Sequence, residues 1–183
     1  MSTPLDLREH SRRLFFAYWP HPKTRQSLLE ATRAAVASID GQPVTASNLH
    51  VTLAFLGRVP GVRIPEIIRV GARGDYKPCK LTFDRLEYWP RPKVVSALTD
   101  SIPEAGQTLV DMLWERLLPL GLEREERPWR PHFTVVRRVR RPPPKLTIPA
   151  IPWACDRLAL VESVSGPDGL HYTALAEWPL GKS

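Results

Sequence analysis

Three of the five histidines are followed two positions later by threonine, in His50-Val51-Thr52-Leu53, His132-Phe133-Thr134-Val135 and His171-Tyr172-Thr173-Ala174. Strand side chains alternate with period 2, so each imidazole shares a face with its hydroxyl while the residue between them points the other way. A single such pair carries little weight, because an ordinary strand histidine meets the pattern by accident. Two opposed pairs carry more. One neutral imidazole can deprotonate a nucleophile while a second, protonated, supplies a proton to a leaving oxygen, and an ordinary pKa of about 6.5 makes both states accessible near neutrality. Threonine hydroxyls can hold phosphate oxygens, and a nearby arginine can stabilise developing charge, so the set suits a phosphodiester. No carboxylate or second histidine stands at metal-ligand spacing from either His50 or His132, so neither a metal nor another cofactor is expected.

His50 and His132 stand apart from His171 because matched elements precede them. Leu14 to Trp19 is an aromatic, apolar strand stopped by Pro20. Pro22 suits a first helical turn, and Leu28, Thr32, Ala35, Val36 and Ile39 recur on one helical face up to Gly41. A loop over 42–48 then leads to a strand from Leu49 to Leu56. The order repeats further on. Val94 to Leu98 is a strand, Ser101 and Glu104 form an S-x-x-E capping box, and Leu109, Met112, Leu113 and Leu117 make the apolar stripe of a helix ended by Pro119 and Gly121. The strand from His132 to Val136 follows. Leu14 leads His50 by nearly the separation at which Val94 leads His132, so the architecture reads as duplicated.

Three more strands are expected, Leu81 to Trp89, Arg157 to Val164, and Leu170 to Trp178 after the turn signal Gly166-Pro167-Asp168-Gly169. Ile64 to Gly71 fits a short helix or a loop, and Arg138 to Pro149 reads as a basic, proline-rich connection. The expected fold is α+β: two pseudo-symmetric lobes of mainly antiparallel sheet, helices outside, meeting at a central groove. No linker separates them, so residues 1–183 are read as one bilobal domain.

The length of 183 residues is enough to bury a sizeable core without disulfides or metal. Cys79 and Cys155 lack CxxC spacing and read as reduced, buried small hydrophobes. The first apolar run is too short for a secretory segment and no window approaches a membrane span, so a cytoplasmic protein is expected. The formal charge of +7 admits a polyanionic partner, although an arginine-rich surface can carry that charge without one.

The elements Arg13-Leu14-Phe15-Phe16-Ala17, Asn48 to Gly57, Tyr88-Trp89-Pro90-Arg91-Pro92 and Arg130-Pro131-His132-Phe133-Thr134 resemble those of the RNA 2',3'-cyclic phosphodiesterases. That family belongs to the 2H phosphoesterases and was formerly called 2'-5' RNA ligase. Leu160-Val161-Glu162-Ser163 and Trp178-Pro179-Leu180 extend the likeness over nearly the whole chain. The resemblance implies hydrolysis of RNA 2',3'-cyclic phosphate ends, or of small cyclic nucleotides, to 2'-phosphomonoesters. It makes His50 the proton donor to the departing 3' oxygen and His132 the base that activates water, with Thr52 and Thr134 on the phosphate. Joining of RNA ends through a 2'-5' linkage is the alternative reaction, and an RNA-end-binding module without turnover the alternative class. No obligate partner is implied, and a monomer is expected.

The family also carries an arginine shortly after the second motif, by spacing Arg137. Strict alternation places Arg137 opposite His132 unless the strand bulges or ends, whereas Arg138 has matching parity; the resemblance selects Arg137. Phe55, equivalently placed after the first motif, reads either as a platform for an unpaired base or as a core residue. The basic run Arg137 to Arg141 reads as a phosphate track or a solvated loop, and Trp89 and Trp129 chiefly as packing residues.

Overall fold

The structure, a computed structural model, describes residues 10–167 and 169–181. Asp168 of the expected turn lies outside the described residues. In chain order the elements are β1 (Ser11–Tyr18), α1 (Pro22–Ala37), β2 (Gln42–Pro43), β3 (Val51–Pro60), α2 (Ile64–Ala72), β4 (Cys79–Trp89), β5 (Val94–Leu98), α3 (Glu104–Leu117), β6 (His132–Arg137), β7 (Thr147–Cys155), β8 (Arg157–Gly166) and β9 (Gly169–Pro179).

The strands form two antiparallel sheets, one in the order β3-β1-β8-β9 and the other β2-β6-β5-β4-β7. The duplication is visible in the pairing: β1 and β3, joined through α1, are neighbours in the first sheet, and β5 and β6, joined through α3, are neighbours in the second. The helices tie the halves together. α1 packs on β6 and β7 of the second sheet, while α3 packs on β3 of the first and on α2. One continuous core therefore contains Leu14, Phe16 and Tyr18 from β1 together with Phe83 from β4 and Phe133 from β6.

The alternate residues of β1, Phe15 and Ala17, join Trp19, Ala159 and Val161 in a second apolar cluster on the opposite face of the first sheet. Both faces of β1 are covered from Leu14 onward, which is why that part of its sequence is continuously apolar rather than alternating.

Two expectations change, and one left open is decided. The stretch after Arg138 is not connection throughout, because 147–155 forms β7; Pro152 is tolerated on this edge strand, and Pro149 falls in a register irregularity where it has no ladder partner. Ser101 does not cap α3. The helix begins after extended Pro103, no side chain caps it, and Thr99 instead engages the backbone of Ser101. The open segment over 64–71 is helical, with Ile67 and Val70 on its buried face.

Candidate active site

His50 immediately precedes β3, and His132 is the first residue of β6. Each ring donates its Nδ1–H to the carbonyl two residues earlier, His50 to Asn48 O at 2.8 Å and His132 to Arg130 O at 2.8 Å. A carbonyl can only accept, so these bonds select the same tautomer in both rings and leave Nε2 as the nitrogen that exchanges protons. β3 and β6 belong to different sheets yet lie against each other, and the charge of the second motif reaches the first: His132 and Arg137 both depress the pKa of His50.

Both strands break strict alternation at equivalent points. Between β1 and β3 the register runs from Ala17 opposite Thr52 to Phe16 opposite Ala54, one residue on β1 spanning two on β3. Between β5 and β6 it runs from Ser96 opposite Thr134 to Val95 opposite Val136. These are β-bulges, and each doubles the core-facing residues, Leu53-Ala54 in one strand and Val135-Val136 in the other. The half-buried positions thus become His50, Thr52, Phe55 in one motif and His132, Thr134, Arg137 in the other. Arg138 ends the strand in left-handed backbone, φ 51°, and is exposed. The parity argument for Arg138 fails because the strand bulges.

His50 sits in an aromatic nest. Phe15 lies 4.8 Å from it between ring centroids, Trp19 6.3 Å, and Tyr172 4.8 Å with its ring nearly perpendicular. Burial is the main reason its pKa falls to about 4, followed by the positive charges of Arg137, His132 and Arg25; the bond to Asn48 opposes the fall. Burial likewise lowers the pKa of His132, with the charges of Arg130 and Arg137 adding to it. Both imidazoles of the free protein are therefore neutral at pH 7, which corrects the expectation that each titrates at its ordinary value.

Tyr172 is the residue that motif reading passed over. The third H-x-T places His171 exposed beside the β8–β9 turn, while the intervening Tyr172 faces the site. Its hydroxyl accepts from Arg137 Nη2 at 2.9 Å. Asn48 holds it there: the backbone N–H of Tyr172 donates to Asn48 Oδ1 at 3.3 Å and Asn48 Nδ2 donates to Leu170 O at 2.7 Å. Arg137 Nε is buried with no hydrogen-bond partner, a donor left over for an anion. Thr134 Oγ1 lies 3.3 Å from Oγ of fully buried Ser96.

Around His132 a polar clamp replaces the nest. Trp89 stands edge-on to His132 at 4.6 Å and donates Nε1–H to Glu87 at 2.8 Å, and Glu87 forms a bidentate pair with Arg130, whose carbonyl holds His132. Trp129 donates Nε1–H to Thr52 O at 2.9 Å, tying the loop before the second motif to the first motif's strand. These two tryptophans are site-forming rather than simple packing residues. They border a cleft of about 1190 Å³ that opens beside Thr52, Phe55 and His132. Phe55 is half-buried on this face, with the Arg13 guanidinium 4.9 Å over its ring. The basic run is divided: Arg137 turns into the site, while Arg140 and Arg141 pair with Asp40. Among the described residues no group of three or more His, Cys, Asp and Glu is placed to hold a metal ion, and no helix is long and apolar enough to cross a membrane.

Two antiparallel sheets, each carrying one histidine and one threonine on the adjoining strands β3 and β6, make the α+β architecture of the 2H phosphoesterases. The family model of the 2'-5' RNA ligase superfamily matches residues 19–167, and the chain belongs to that superfamily. It is 30% identical over 173 residues to the RNA 2',3'-cyclic phosphodiesterase of Escherichia coli K12, covering 92% of this chain and 97% of that one. The protein of the same name from Thermus thermophilus is 29% identical, with 92% and 90% covered. Among solved structures, E. coli LigT in apo form superposes with a TM-score of 0.79 at 28% identity, covering 95% of this chain and 100% of that chain. LigT complexed with 3'-AMP gives 0.77 at 29%, covering 94% and 99%.

Proposed function

We infer that this chain hydrolyses RNA 2',3'-cyclic phosphate ends to 2'-phosphomonoesters without a metal ion. The observation that carries the reading is the pair of histidines fixed in one tautomer on adjoining strands of two sheets, each followed at the same offsets by a threonine and, past a bulge, by a further side chain on the threonine's face. The names of the relatives support the substrate.

In the reaction, His132 Nε2 takes a proton from water as its oxygen bonds to phosphorus, and the bond from phosphorus to the 3' oxygen breaks as that oxygen receives a proton from His50 Nε2. This assignment of donor and base follows the resemblance to the family. Thr52, Thr134 and Arg137 hold the non-bridging oxygens, with Arg137 Nε directed to the charge that builds there. A bound phosphodiester supplies the negative charge that raises the pKa of His50 and lets it carry the proton it must give. Phe55 offers an aromatic face to an unpaired base. A single domain working as a monomer is part of the same reading.

The test is incubation of purified protein with an oligonucleotide ending in a 2',3'-cyclic phosphate, in EDTA. Conversion to a 2'-phosphate, abolished in His50→Ala and in His132→Ala, is expected; absence of product, or full activity in both variants, overturns the reading. One observation favours a second reaction on the same site. The cleft beside His132 has room for far more than water, so a 5'-hydroxyl of a second strand fits in its place, giving a 2'-5' linkage. Adding a 5'-hydroxyl oligonucleotide and resolving joined from hydrolysed product separates the two.

A further inference from the structure

The two cysteines, distant in sequence, are opposed in space. Cys79 opens β4, Cys155 closes β7, and the two are direct cross-strand partners in the second sheet. Directly opposed residues of antiparallel strands lie about 4.5 to 5.5 Å apart at Cα with side chains on one face, inside the range of about 4.4 to 6.8 Å that a disulfide spans. Here both side chains turn to the main core, Cys155 as a buried member of it and Cys79 packed against it.

We propose that Cys79 and Cys155 form an oxidisable dithiol that closes reversibly to a cross-strand disulfide when the protein meets a peroxide. The two sulfurs have different surroundings and different parts to play. Cys79 is half-buried, bonded to the Tyr18 hydroxyl at 3.3 Å, and packed where Gly106 of α3 leaves room beside its sulfur. The neighbouring Cys155 and Tyr18 lower its thiol from its ordinary value, burial opposing them, which favours the nucleophilic thiolate. Cys155 is fully buried, and burial pushes its thiol well up, so it stays protonated until a partner presents itself.

The chemistry balances in two steps. Cys79 sulfur attacks hydrogen peroxide, the O–O bond breaks, one oxygen stays on sulfur as sulfenic acid, and water leaves. Cys155 sulfur then attacks Cys79 sulfur, the S–O bond breaks, and the departing hydroxide takes the Cys155 proton to leave as a second water. Two electrons pass to the peroxide for each disulfide formed. The bond staples β7, an edge strand whose prolines donate no ladder bonds, to β4 at the end of their pairing.

The full-length protein is treated with stoichiometric hydrogen peroxide and examined by intact mass and by alkylation after denaturation. The expected product is a monomer lighter by two hydrogens, with both thiols blocked, a raised Tm, and full recovery of alkylation after dithiothreitol. Cys79→Ser shows no mass loss, and Cys155→Ser gains oxygen at Cys79. Should Cys155→Ser fold poorly, Cys155→Ala serves in its place. Two thiols still alkylatable after oxidation, stepwise oxygen addition at Cys79 in the unaltered protein, or an intermolecular dimer as the main product each overturns the proposal.

Discussion

Thr134 and Arg137 project from the same face of β6, although a step of three residues sets side chains on opposite faces of a regular strand. Val135 and Val136 are both buried, so one extra residue is absorbed in the core and the parity after it is inverted. The same device between Leu53 and Ala54 brings Phe55 round to the face of Thr52. A pair of bulges thus decides which third side chain each motif contributes.

The bulge separates two adjacent arginines experimentally. Arg137→Ala lowers kcat/KM on a cyclic-phosphate oligonucleotide by on the order of 100-fold, the cost of losing a buried donor to developing charge. Arg138→Ala, exposed at the strand's end, changes it by less than about threefold. Steady-state kinetics on the two variants checks the placement, and equal losses would contradict it.

Tyr172→Phe keeps the ring edge against His50 and removes the acceptor for Arg137. Turnover falls by roughly tenfold as Arg137 loses its orientation, while stability drops by only about 1 kcal/mol, the net worth of one hydrogen bond. Tyr172→Ala loses more activity and also shifts the pH profile, because His50 becomes better solvated and its pKa rises. Kinetics with thermal denaturation distinguishes the two effects.

The profile of kcat/KM against pH is bell-shaped and reports the free protein. Both histidine pKa values are depressed, His50 to about 4, so its maximum lies below pH 6.5. The profile of kcat moves to higher pH, since the bound anion raises the pKa of His50. Coincident profiles with a maximum above 7 would refute the account of the site's electrostatics.

The same depression has a consequence for stability. His50 binds its proton at about pH 4 when folded and about 6.5 when unfolded, so between these values the unfolded chain holds more protons. Stability therefore rises with pH through that window and is lost as pH falls through it, by up to roughly 3 kcal/mol for this one group. Urea denaturation at pH 4.5 and 7.0 measures the loss, and His50→Phe, which cannot bind a proton, makes it smaller.

Much was legible because it is local. The repeated order of strand, helix and H-x-T strand, the helix over 22–37, and the likeness of the motif flanks are properties of short segments with fixed periods, and the pairing of β1 with β3 and β5 with β6 followed them. What failed was competition between local and distant partners. Ser101 carries a capping signature that Thr99 overrides, and β7 hides in a proline-rich stretch because an edge position and a register irregularity make its prolines acceptable.

The sequence alone determined the chemistry on offer: two imidazoles, two hydroxyls and a following arginine, set in duplicated units whose period forces each His and Thr onto one face. Tertiary structure decided the rest. Register with a neighbouring strand creates a bulge and turns Arg137, not Arg138, toward Tyr172; burial, a property of the whole surround, lowers both histidine pKa values. Contact between β3 and β9 neighbourhoods delivers Tyr172 through Asn48, and sheet order sets Cys79 against Cys155. Each of these depends on which segments become neighbours, and a periodic pattern within one segment holds no information about its neighbours.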